Sequence, residues 1–317
     1  MERIRAAVIG VGYLGRFHAQ KYAVLDGATL VGVADVSAEN RERVAKELGV
    51  PAFADYRELL GRVDAVSIAT PTALHYDIAV AFLGAGAHVL VEKPITDTVE
   101  DARRLIGIAA QCKRLLQVGH LERFNSGLLA LDGILTTPRF IESHRLAPFK
   151  QRGTDVNVVL DLMIHDIDII QDIVHAPIAT LDAVGAPIFS SEIDIANARI
   201  RFTNGCVANT TASRVSLKTE RKLRLFQDDA YMSVDLQQKV LTVVRKTDKP
   251  MQGDLPPVQI EERTFEQGDA LRAEIESFLD CIANNKPPIV SGEDGLRALE
   301  TAIRITEQVT GQAYRPA

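Results

Sequence analysis

The sequence contains no tryptophan, and aromatic residues make up only 5% of the chain. Proteins that bind single-stranded nucleic acid stack the bases on such rings, so this chain has little material for that mode of binding. A net charge of −6 and a pI near 5.7 also disfavour a surface built to neutralise phosphates or anionic lipids. Nucleic acid is therefore not an expected partner.

Cysteine and long apolar runs are scarce as well. Cys112, Cys206 and Cys281 stand far apart without the Cys-x-x-Cys spacing of a zinc or redox site, and we interpret them as free thiols. No stretch approaches the roughly 18 consecutive apolar residues of a membrane helix. The opening Met-Glu-Arg-Ile-Arg runs into a predicted strand without the apolar region of a signal peptide. We therefore expect a cytoplasmic protein with no membrane partner and no metal site.

The first third of the chain alternates short apolar runs with amphipathic stretches, within a globular composition of 46% apolar and 25% charged residues. At roughly 150 residues per domain, 317 residues predict two domains. The alternation predicts parallel strands joined by crossover helices, because strands covered on both faces read as continuous apolar runs. The predicted strands are Ile4–Ile9, Thr29–Ala34, Ala65–Ala69, His88–Val91 and Leu115–Val118, and the predicted helices are Leu14–Leu25, Ala38–Leu48, Leu74–Gly84 and Val99–Cys112.

After about residue 122 the predicted strands follow one another without intervening helices, which favours a mostly antiparallel sheet. Asn204-Gly205 predicts a hairpin with a type I′ turn, and Lys246–Pro257 is a polar, loop-like stretch. The strands are predicted at Arg139–Phe149, Leu181–Ile188, Ala196–Phe202, Cys206–Ser213, Lys222–Phe226, Tyr231–Asp235 and Val240–Arg245, and the helices at Val158–Val174, Asp269–Asn284 and Gly292–Thr310.

A glycine-rich sequence follows the first predicted strand and opens the first predicted helix. Gly10, Gly12 and Gly15 have the Gly-x-Gly-x-x-Gly spacing that lets backbone and a helix N-terminus approach a dinucleotide pyrophosphate. Asp35 lies 20 residues after Gly15, at the end of the second strand, where a carboxylate accepts hydrogen bonds from a ribose 2′-hydroxyl. The same carboxylate repels a 2′-phosphate. The sequence therefore predicts NAD binding and disfavours NADP.

Glu92-Lys93-Pro94 directly follows a predicted parallel strand. Ligands bind beyond the carboxyl ends of such strands, so these residues face the predicted cofactor crevice. Near a nicotinamide, Lys93 would stabilise a developing alkoxide, and Pro94 would fix the turn, as a trans or a cis peptide. The alternative is a solvated loop with an exposed ion pair.

Asp161, His165 and Asp168 form a polar line on the apolar helix predicted at Val158–Val174, with the spacing i, i+4 and i+7. As catalytic groups, His165 would be the general acid or base and Asp161 would hold its tautomer. A structural hydrogen-bond network explains the same line. A metal site there lacks an evident third ligand.

Four motifs occur together in this chain. They are Gly10-x-Gly12-x-x-Gly15-x-x-His18, Ala69-Thr70-Pro71-Thr72-x-x-His75, Glu92-Lys93-Pro94 and Asp161-x-x-x-His165. In this combination they resemble the glucose-fructose oxidoreductase, inositol dehydrogenase and MocA (Gfo/Idh/MocA) family. The resemblance implies an α/β protein with an N-terminal Rossmann domain at 1–122 and a C-terminal α/β domain at 123–317. The latter carries a large, mostly antiparallel open sheet and a last helix that packs back on the Rossmann domain.

The family's functional residues carry over to matching positions of this chain. The catalytic residues implied are Lys93, Asp161 and His165. Cofactor binding is implied for Gly10, Gly12, Tyr13, Leu14, Gly15, Asp35, Ala69, Thr70, Pro71, His75, Glu92 and Lys93.

Two further segments, Gly119–Asn125 and Asp161–Asp168, resemble the subgroup of UDP-N-acetylglucosamine 3-dehydrogenases. Asn157 stands where that pattern has glycine. Arg123 could pair with a diphosphate or a sugar carboxylate, with Arg145 and Lys150 adding positive charge, and exposed surface ion pairs explain the same residues. The substrate-binding residues expected are Lys93, Arg123, Asn125, Asp161 and His165.

The resulting expectation is an NAD-dependent oxidoreductase for a secondary hydroxyl of a sugar, most specifically C3 of a UDP-N-acetylhexosamine. Whether Lys93 or His165 is the base stays open. The alternatives are a dehydrogenase of inositol or of a free or phosphorylated sugar, and a non-catalytic NAD-binding regulator. The open sheet predicts a homodimer or homotetramer, because it would otherwise leave a large exposed face.

Overall fold

The computed structural model describes residues 3–150, 156–247, 257–266 and 268–316. The chain forms two compact units. The first comprises Met1–Leu121, Asp269–Leu299 and Pro316–Ala317, and the second comprises Glu122–Gly268 and Glu300–Arg315. The sequence predicts two consecutive domains, whereas these units are discontinuous, because residues 269–299 return to the first unit.

The first unit contains a parallel sheet of six strands with the order β3-β2-β1-β4-β5-β6. The predicted strands and helices of this region are present to within one residue at each end, and a two-residue edge strand, β3, is additional. The order reverses between β1 and β4, which is where open α/β sheets bind ligands. The elements are β1 (Ile4–Ile9), α1 (Tyr13–Val24), β2 (Ala28–Ala34), α2 (Ala38–Leu48), β3 (Ala52–Phe53), β4 (Ala65–Ile68), α3 (His75–Gly84), β5 (His88–Glu92), α4 (Val99–Cys112) and β6 (Leu116–Gly119).

The second unit contains an eight-stranded sheet with the order β14-β13-β12-β11-β7-β10-β9-β8. Its strand pairs are antiparallel except for β7 and β10, which are parallel. The mostly antiparallel sheet is therefore confirmed. The elements are α5 (Ser126–Leu129), β7 (Phe140–Leu146), α6 (Ile164–Val174), β8 (Ile178–Ala186), β9 (Ile195–Phe202), β10 (Val207–Ser213), β11 (Glu220–Phe226), β12 (Ala230–Asp235), β13 (Val240–Lys246) and β14 (Val258–Thr264).

Two details of this sheet differ from the predictions. The hairpin between β9 and β10 is present, but Gly205 has a φ of 88° while Asn204 is not among the positive-φ residues, so the turn is not type I′. Thr203 and Asn204 instead form the turn closed by the Gly205 N–H to Phe202 carbonyl bond of 3.0 Å. Strand β14 was not predicted, because all its side chains are exposed and it lacks the apolar face that marks a strand. Most of the predicted loop Lys246–Pro257 lies outside the described residues.

Two helices follow the sheet in the sequence, α7 (Ala270–Asn284) and α8 (Gly292–Thr310), close to their predicted limits. In the first unit, Ile275, Phe278 and Leu279 of α7 pack into the core that contains Tyr22 of α1. This apolar face explains why α7 belongs to the parallel-sheet unit although it follows the second sheet in the chain. Within the described residues, no helix is long and apolar enough to cross a membrane.

Candidate functional site

The glycine-rich loop between β1 and α1 is shaped by close backbone contacts. Gly10 has a φ of 79°, and a Cβ there would lie 2.7 Å from the Ala69 carbonyl oxygen. A Cβ at Gly15 would lie 1.7 Å from the Gly10 carbonyl oxygen. At Gly12, in contrast, nothing lies within 4 Å of the added atom, so this glycine faces open space. The loop therefore leaves room at Gly12 for a phosphate group.

The start of α1 and Asp35 complete this region. Helix α1 has no side-chain cap and no acidic residue in its first turn, so its first N–H groups present an uncompensated positive end. The Asp35 carboxylate accepts hydrogen bonds from the backbone N–H of Val11 and of Ser37, both at 2.8 Å. Asp35 lies at the carboxyl end of β2 beside the glycine loop. This set fits the pyrophosphate and adenosine ribose of a dinucleotide.

His75 joins the two loops that follow β4 and β5. Its Nδ1 lies 2.9 Å from the Pro94 carbonyl oxygen and its Nε2 lies 2.9 Å from the Thr70 carbonyl oxygen. The side chain is 1% exposed, and the Lys93–Pro94 peptide bond is cis. His75, expected to bind the cofactor, is thus placed as a brace between backbone carbonyls that orients the Lys93 turn.

Glu92 is turned toward the interior of the first unit. Its Oε1 accepts a hydrogen bond from His18 Nε2 at 2.9 Å. Burial works to raise the pKa of Glu92, but the His18 hydrogen bond and the nearby Lys93 and His75 outweigh it and lower the pKa. Glu92 is therefore an ionised carboxylate tied to α1, and Lys93 follows it directly in the chain.

In the second unit, the predicted helix Val158–Val174 begins with a π-helical segment, Val159–Met163, before α6. Asp161 lies in the π-helical turn and His165 in the first turn of α6. Asn157 Oδ1 accepts hydrogen bonds from the N–H groups of Val159 and Leu160 at 3.0 and 3.1 Å. Asn157, which replaces an expected glycine, therefore caps the start of the segment that carries two of the three predicted catalytic residues, Asp161 and His165.

Arg123 forms a buried ion-pair cluster, so the alternative of an exposed surface pair is wrong. It is 6% exposed, and its Nε and Nη2 lie 2.6 and 3.2 Å from the Asp168 carboxylate, while Nη1 pairs with Asp172. Asn125 donates to the Leu236 carbonyl at 2.8 Å and accepts from the Gly127 N–H at 3.0 Å. Internal partners thus engage Arg123, Asn125 and Asp168, and the substrate-binding role of Arg123 and Asn125 stays a prediction.

Arg145 is likewise buried, at 3% exposed, in the second unit. Its Nε lies 3.0 Å from Asp166 and its Nη1 lies 2.8 Å from Glu122. Burial works to lower the pKa of Arg145, but the charges and hydrogen bonds of Asp166 and Glu122 outweigh it and raise the pKa. Lys150, in contrast to Arg145, is exposed to solvent. Arg145 is therefore a charge partner of two carboxylates.

The structure divides the three predicted catalytic residues between the units. Lys93 lies in the first unit after β5, whereas Asp161 and His165 lie in the second unit at the start of the helical segment. The cofactor residues from Gly10 to Lys93 all lie in the first unit.

Comparisons with known proteins agree with this arrangement. Residues 4–120 match the family model described as an oxidoreductase family with an NAD-binding Rossmann fold, and residues 143–314 match the C-terminal alpha/beta domain of the same family. The chain belongs to the Gfo/Idh/MocA oxidoreductase family. The expectations of a Rossmann unit, a mixed α/β partner unit and an oxidoreductase that binds NAD are confirmed.

Relatives within the Gfo/Idh/MocA family cover nearly the whole chain. A UDP-N-acetylglucosamine 3-dehydrogenase of Acidithiobacillus ferrooxidans is 41% identical over 306 residues, which are 96% of this chain and 97% of that protein. A solved structure of the same enzyme matches with a TM-score of 0.93 and 40% identity, over 98% of this chain and 99% of that chain. A myo-inositol 2-dehydrogenase of Thermotoga maritima is 26% identical over 93% of each chain. The sugar-nucleotide enzyme is thus the more similar of these two relatives.

Three structural features are not predicted by the sequence pattern. The first is the cap at Asn157, for which the signal in the sequence is an Asn directly before an apolar helix. The buried pair of Asp194 and Arg214 joins residues of the second unit that are distant in sequence. The third is the burial of Glu274 in the first unit. In the sequence, only the apolar residues near it on α7 indicate a buried helix face.

Proposed function

We propose that this chain is an NAD-dependent dehydrogenase that oxidises the C3 hydroxyl of a UDP-N-acetylhexosamine, specifically UDP-N-acetylglucosamine. The observation that carries the proposal is the 41% identity to the Acidithiobacillus enzyme across 96% of this chain. The presence of Lys93, Asp161 and His165 supports a catalytic role, because a regulator that only binds NAD needs no acid or base group.

The cofactor proposal is NAD in preference to NADP. Gly10, Gly12, Gly15 and the uncapped start of α1 would hold the pyrophosphate, and the Asp35 carboxylate would accept from the ribose 2′-hydroxyl. Asp35 already orders the loop through its bonds to Val11 and Ser37, so its negative charge stays at this position and disfavours a 2′-phosphate. Bound NAD would supply the hydride acceptor.

The proposed chemistry divides the proton and the charge between two residues. His165 takes the proton of the C3 hydroxyl as general base, and Asp161 orients its imidazole. Lys93 stabilises the negative charge that develops on the same oxygen and orients the substrate.

The decisive experiment mixes purified protein with NAD and one of four compounds: UDP-N-acetylglucosamine, free N-acetylglucosamine, myo-inositol or glucose 6-phosphate. We expect NADH absorbance with the sugar nucleotide alone, and no turnover with NADP. NADH formation with myo-inositol or the phosphorylated sugar instead would replace the substrate proposal. NAD binding without turnover of any compound would favour a non-catalytic regulator.

A His165→Ala variant tests the assignment of the base. We expect kcat to fall by about 10²- to 10⁴-fold with NAD affinity nearly unchanged, because only a proton-transfer group is removed. Lys46→Ala, which removes an exposed cation on α2 that is outside the proposed catalytic and substrate-binding set, is the control and should keep parental kcat. A His165→Ala enzyme with parental kcat would contradict the assignment.

We further propose a cytoplasmic homodimer or homotetramer that assembles through the sheet of the second unit. Phe140, Phe226 and Tyr231 form a row of half-buried rings on neighbouring strands, with centroid distances of 5.7 and 4.9 Å. Their strand neighbours Ile141 and Leu225 are buried at 0% exposure. Because side chains alternate along a strand, the aromatic row lies on the face opposite the core and supports assembly there.

A further inference from the structure

Three titratable side chains from distant parts of the sequence meet inside the first unit: His18 of α1, Glu92 at the end of β5 and Glu274 of α7. One nitrogen or oxygen atom of each residue lies within 4.8 Å of those of the others. His18 is 1% exposed and Glu274 is 0% exposed. His18 Nε2 donates to Glu92 Oε1 at 2.9 Å. Neither His18 nor Glu274 has an assigned role in the dehydrogenase proposed above.

Glu274 is the unusual member of the cluster. Neither of its carboxyl oxygens has a hydrogen-bond partner among the described residues, and its backbone carbonyl accepts from Gln117 Nε2 at 3.4 Å. An ionised carboxylate here would lie beside the ionised Glu92 without a donor, which is strongly unfavourable. Burial raises the pKa of Glu274 well above its usual value, and the negative charge of Glu92 adds to this effect. A protonated Glu274 instead has one O–H to offer to Glu92.

Burial and the negative charge of Glu92 are the two influences on the pKa of Glu274, and both raise it. Helix α1 contributes His18 and Tyr22, whose O–H group pairs with Ser67 at 2.9 Å, and burial raises the pKa of Tyr22. Strand β5 contributes Glu92, and β6 contributes the neutral Gln117. Lys93 and His75 act on Glu92, where they favour the ionised carboxylate.

We propose that Glu274 is a positioning residue, held as a neutral carboxylic acid that shares its proton with Glu92, so that the cluster keeps its single carboxylate charge on Glu92, beside Lys93. The inference rests on the proposed function, because Lys93 belongs to its catalytic set. Glu92 ties α1, which begins at the glycine-rich loop, to the turn that carries Lys93. Ionisation of Glu274 would place two like charges side by side and would disturb both the start of α1 and the Lys93 turn.

A bound metal ion is the competing explanation for such a cluster. His18 Nε2 and Glu92 Oε1 share a hydrogen bond, so these two atoms do not both face a cation. Structural zinc sites also take four protein ligands, whereas this group supplies three. The hydrogen bond between His18 and Glu92 therefore disfavours a metal ion at this cluster.

Infrared difference spectroscopy tests the protonation state directly. We compare the full chain with Glu274→Gln, which keeps the shape of a neutral acid, and with Glu276→Gln, a matched change at the exposed end of an ion pair on the same helix. At pH 7 we expect the C=O band of a protonated carboxylic acid, shifted in D2O, in the parent and in the Glu276→Gln variant. The band should be absent in Glu274→Gln. A parent protein without the band, or a band that survives in Glu274→Gln, would overturn the proposal.

Stability against pH gives an independent test. The folded-state pKa of Glu274 lies above its unfolded-state value, so its contribution is fully present below the unfolded pKa and is lost as the pH rises through the folded pKa. Glu274→Gln does not titrate, so its Tm should exceed that of the parent by a margin that grows from pH 5 to pH 9. A margin independent of pH would contradict a protonated Glu274.

The positioning role is measured by NAD binding. Glu274→Ala should weaken NAD binding about tenfold, as expected for the loss of one buried hydrogen bond, and Glu274→Gln should restore most of the affinity. An equal loss in both variants would overturn the positioning role, as would one equivalent of a divalent metal that the parent holds and Glu274→Gln loses. The infrared and stability measurements need no substrate, so they test Glu274 even if the sugar-nucleotide proposal fails.

Discussion

At the residue scale, the second unit depends on charges that are paired in the interior. The Asp194 carboxylate, which is 0% exposed, accepts from Arg214 Nε at 2.7 Å and from the backbone N–H of Phe189 at 2.6 Å. Arg214 Nη1 donates in turn to the Val156 carbonyl at 2.5 Å. Burial works to raise the pKa of Asp194, but Arg214 and the backbone donors outweigh it and hold the pKa well below its usual range. This pair therefore anchors the chain just before the segment that carries Asp161.

Asp194→Asn should lower the free energy of unfolding by about 3 kcal/mol at pH 7, because it removes the buried carboxylate charge that pairs with Arg214. The folded-state pKa of Asp194 lies below its unfolded-state value, so its contribution is present above the unfolded pKa of about 3.9 and is lost as the pH falls further. The deficit of the variant should accordingly shrink in urea unfolding curves measured near pH 3.

The matched control for that variant is Asp228→Asn, which breaks the exposed pair between Arg139 and Asp228. Exposed ion pairs are screened by water, so we expect no measurable change in unfolding. Equal effects of the two substitutions would show that burial of the Asp194 pair is not what stabilises the unit.

At the scale of elements, the segment from Asn157 to Val174 is a capped π-helical turn followed by an α-helix. π-Helical turns are rare and occur often at functional sites. The cap at Asn157 and the 2.9 Å bond from the Val158 N–H to the Ile193 carbonyl fix where this segment begins. The orientation of Asp161 and His165 therefore depends on a residue four positions before the first of them.

Asn157→Ala should lower the free energy of unfolding by about 1 kcal/mol, the usual effect of removing an N-cap. It should also lower kcat in the sugar-nucleotide assay more than it changes the KM for NAD, because the helical segment that carries Asp161 and His165 would no longer begin at a fixed point. Thr98→Ala removes the cap of α4, where the Thr98 hydroxyl accepts from the Asp101 N–H at 3.0 Å, and serves as the control. It should lower stability and leave kcat unchanged. A normal kcat in Asn157→Ala would contradict the positioning by the cap.

At the scale of the whole molecule, the aromatic row on the outer face of the second sheet is the feature that bears on assembly. Phe226→Arg places a charge at its centre and should convert the parental oligomer to smaller species in light scattering after size-exclusion chromatography. Val24→Arg, on a helix surface of the first unit where Val24 is 65% exposed, should keep the parental mass. A parent that is monomeric at micromolar concentration would refute the proposed assembly.

Much of the fold was predictable because local patterns and tertiary packing agree. Parallel strands buried on both faces have continuous apolar sequences, and helices Ala38–Leu48 and Val99–Cys112 were predicted to the residue. Strand β14 was missed because its side chains are all exposed and show no apolar face in the sequence. Its pairing with β13 makes it a strand. The prediction of a type I′ turn was wrong. That turn requires positive φ at both Asn204 and Gly205, and only Gly205 has it.

The sequence by itself determined the Rossmann unit, the glycine-rich loop, Asp35 at the end of β2 and the positions of Lys93, Asp161 and His165. These features depend on spacing along a few adjacent elements. Only the tertiary structure decided that Arg123 pairs with Asp168, that α7 joins the first unit and that Glu274 meets Glu92. The physical reason is that a buried charge is stable only beside its partner, and that partner lies far away in the sequence.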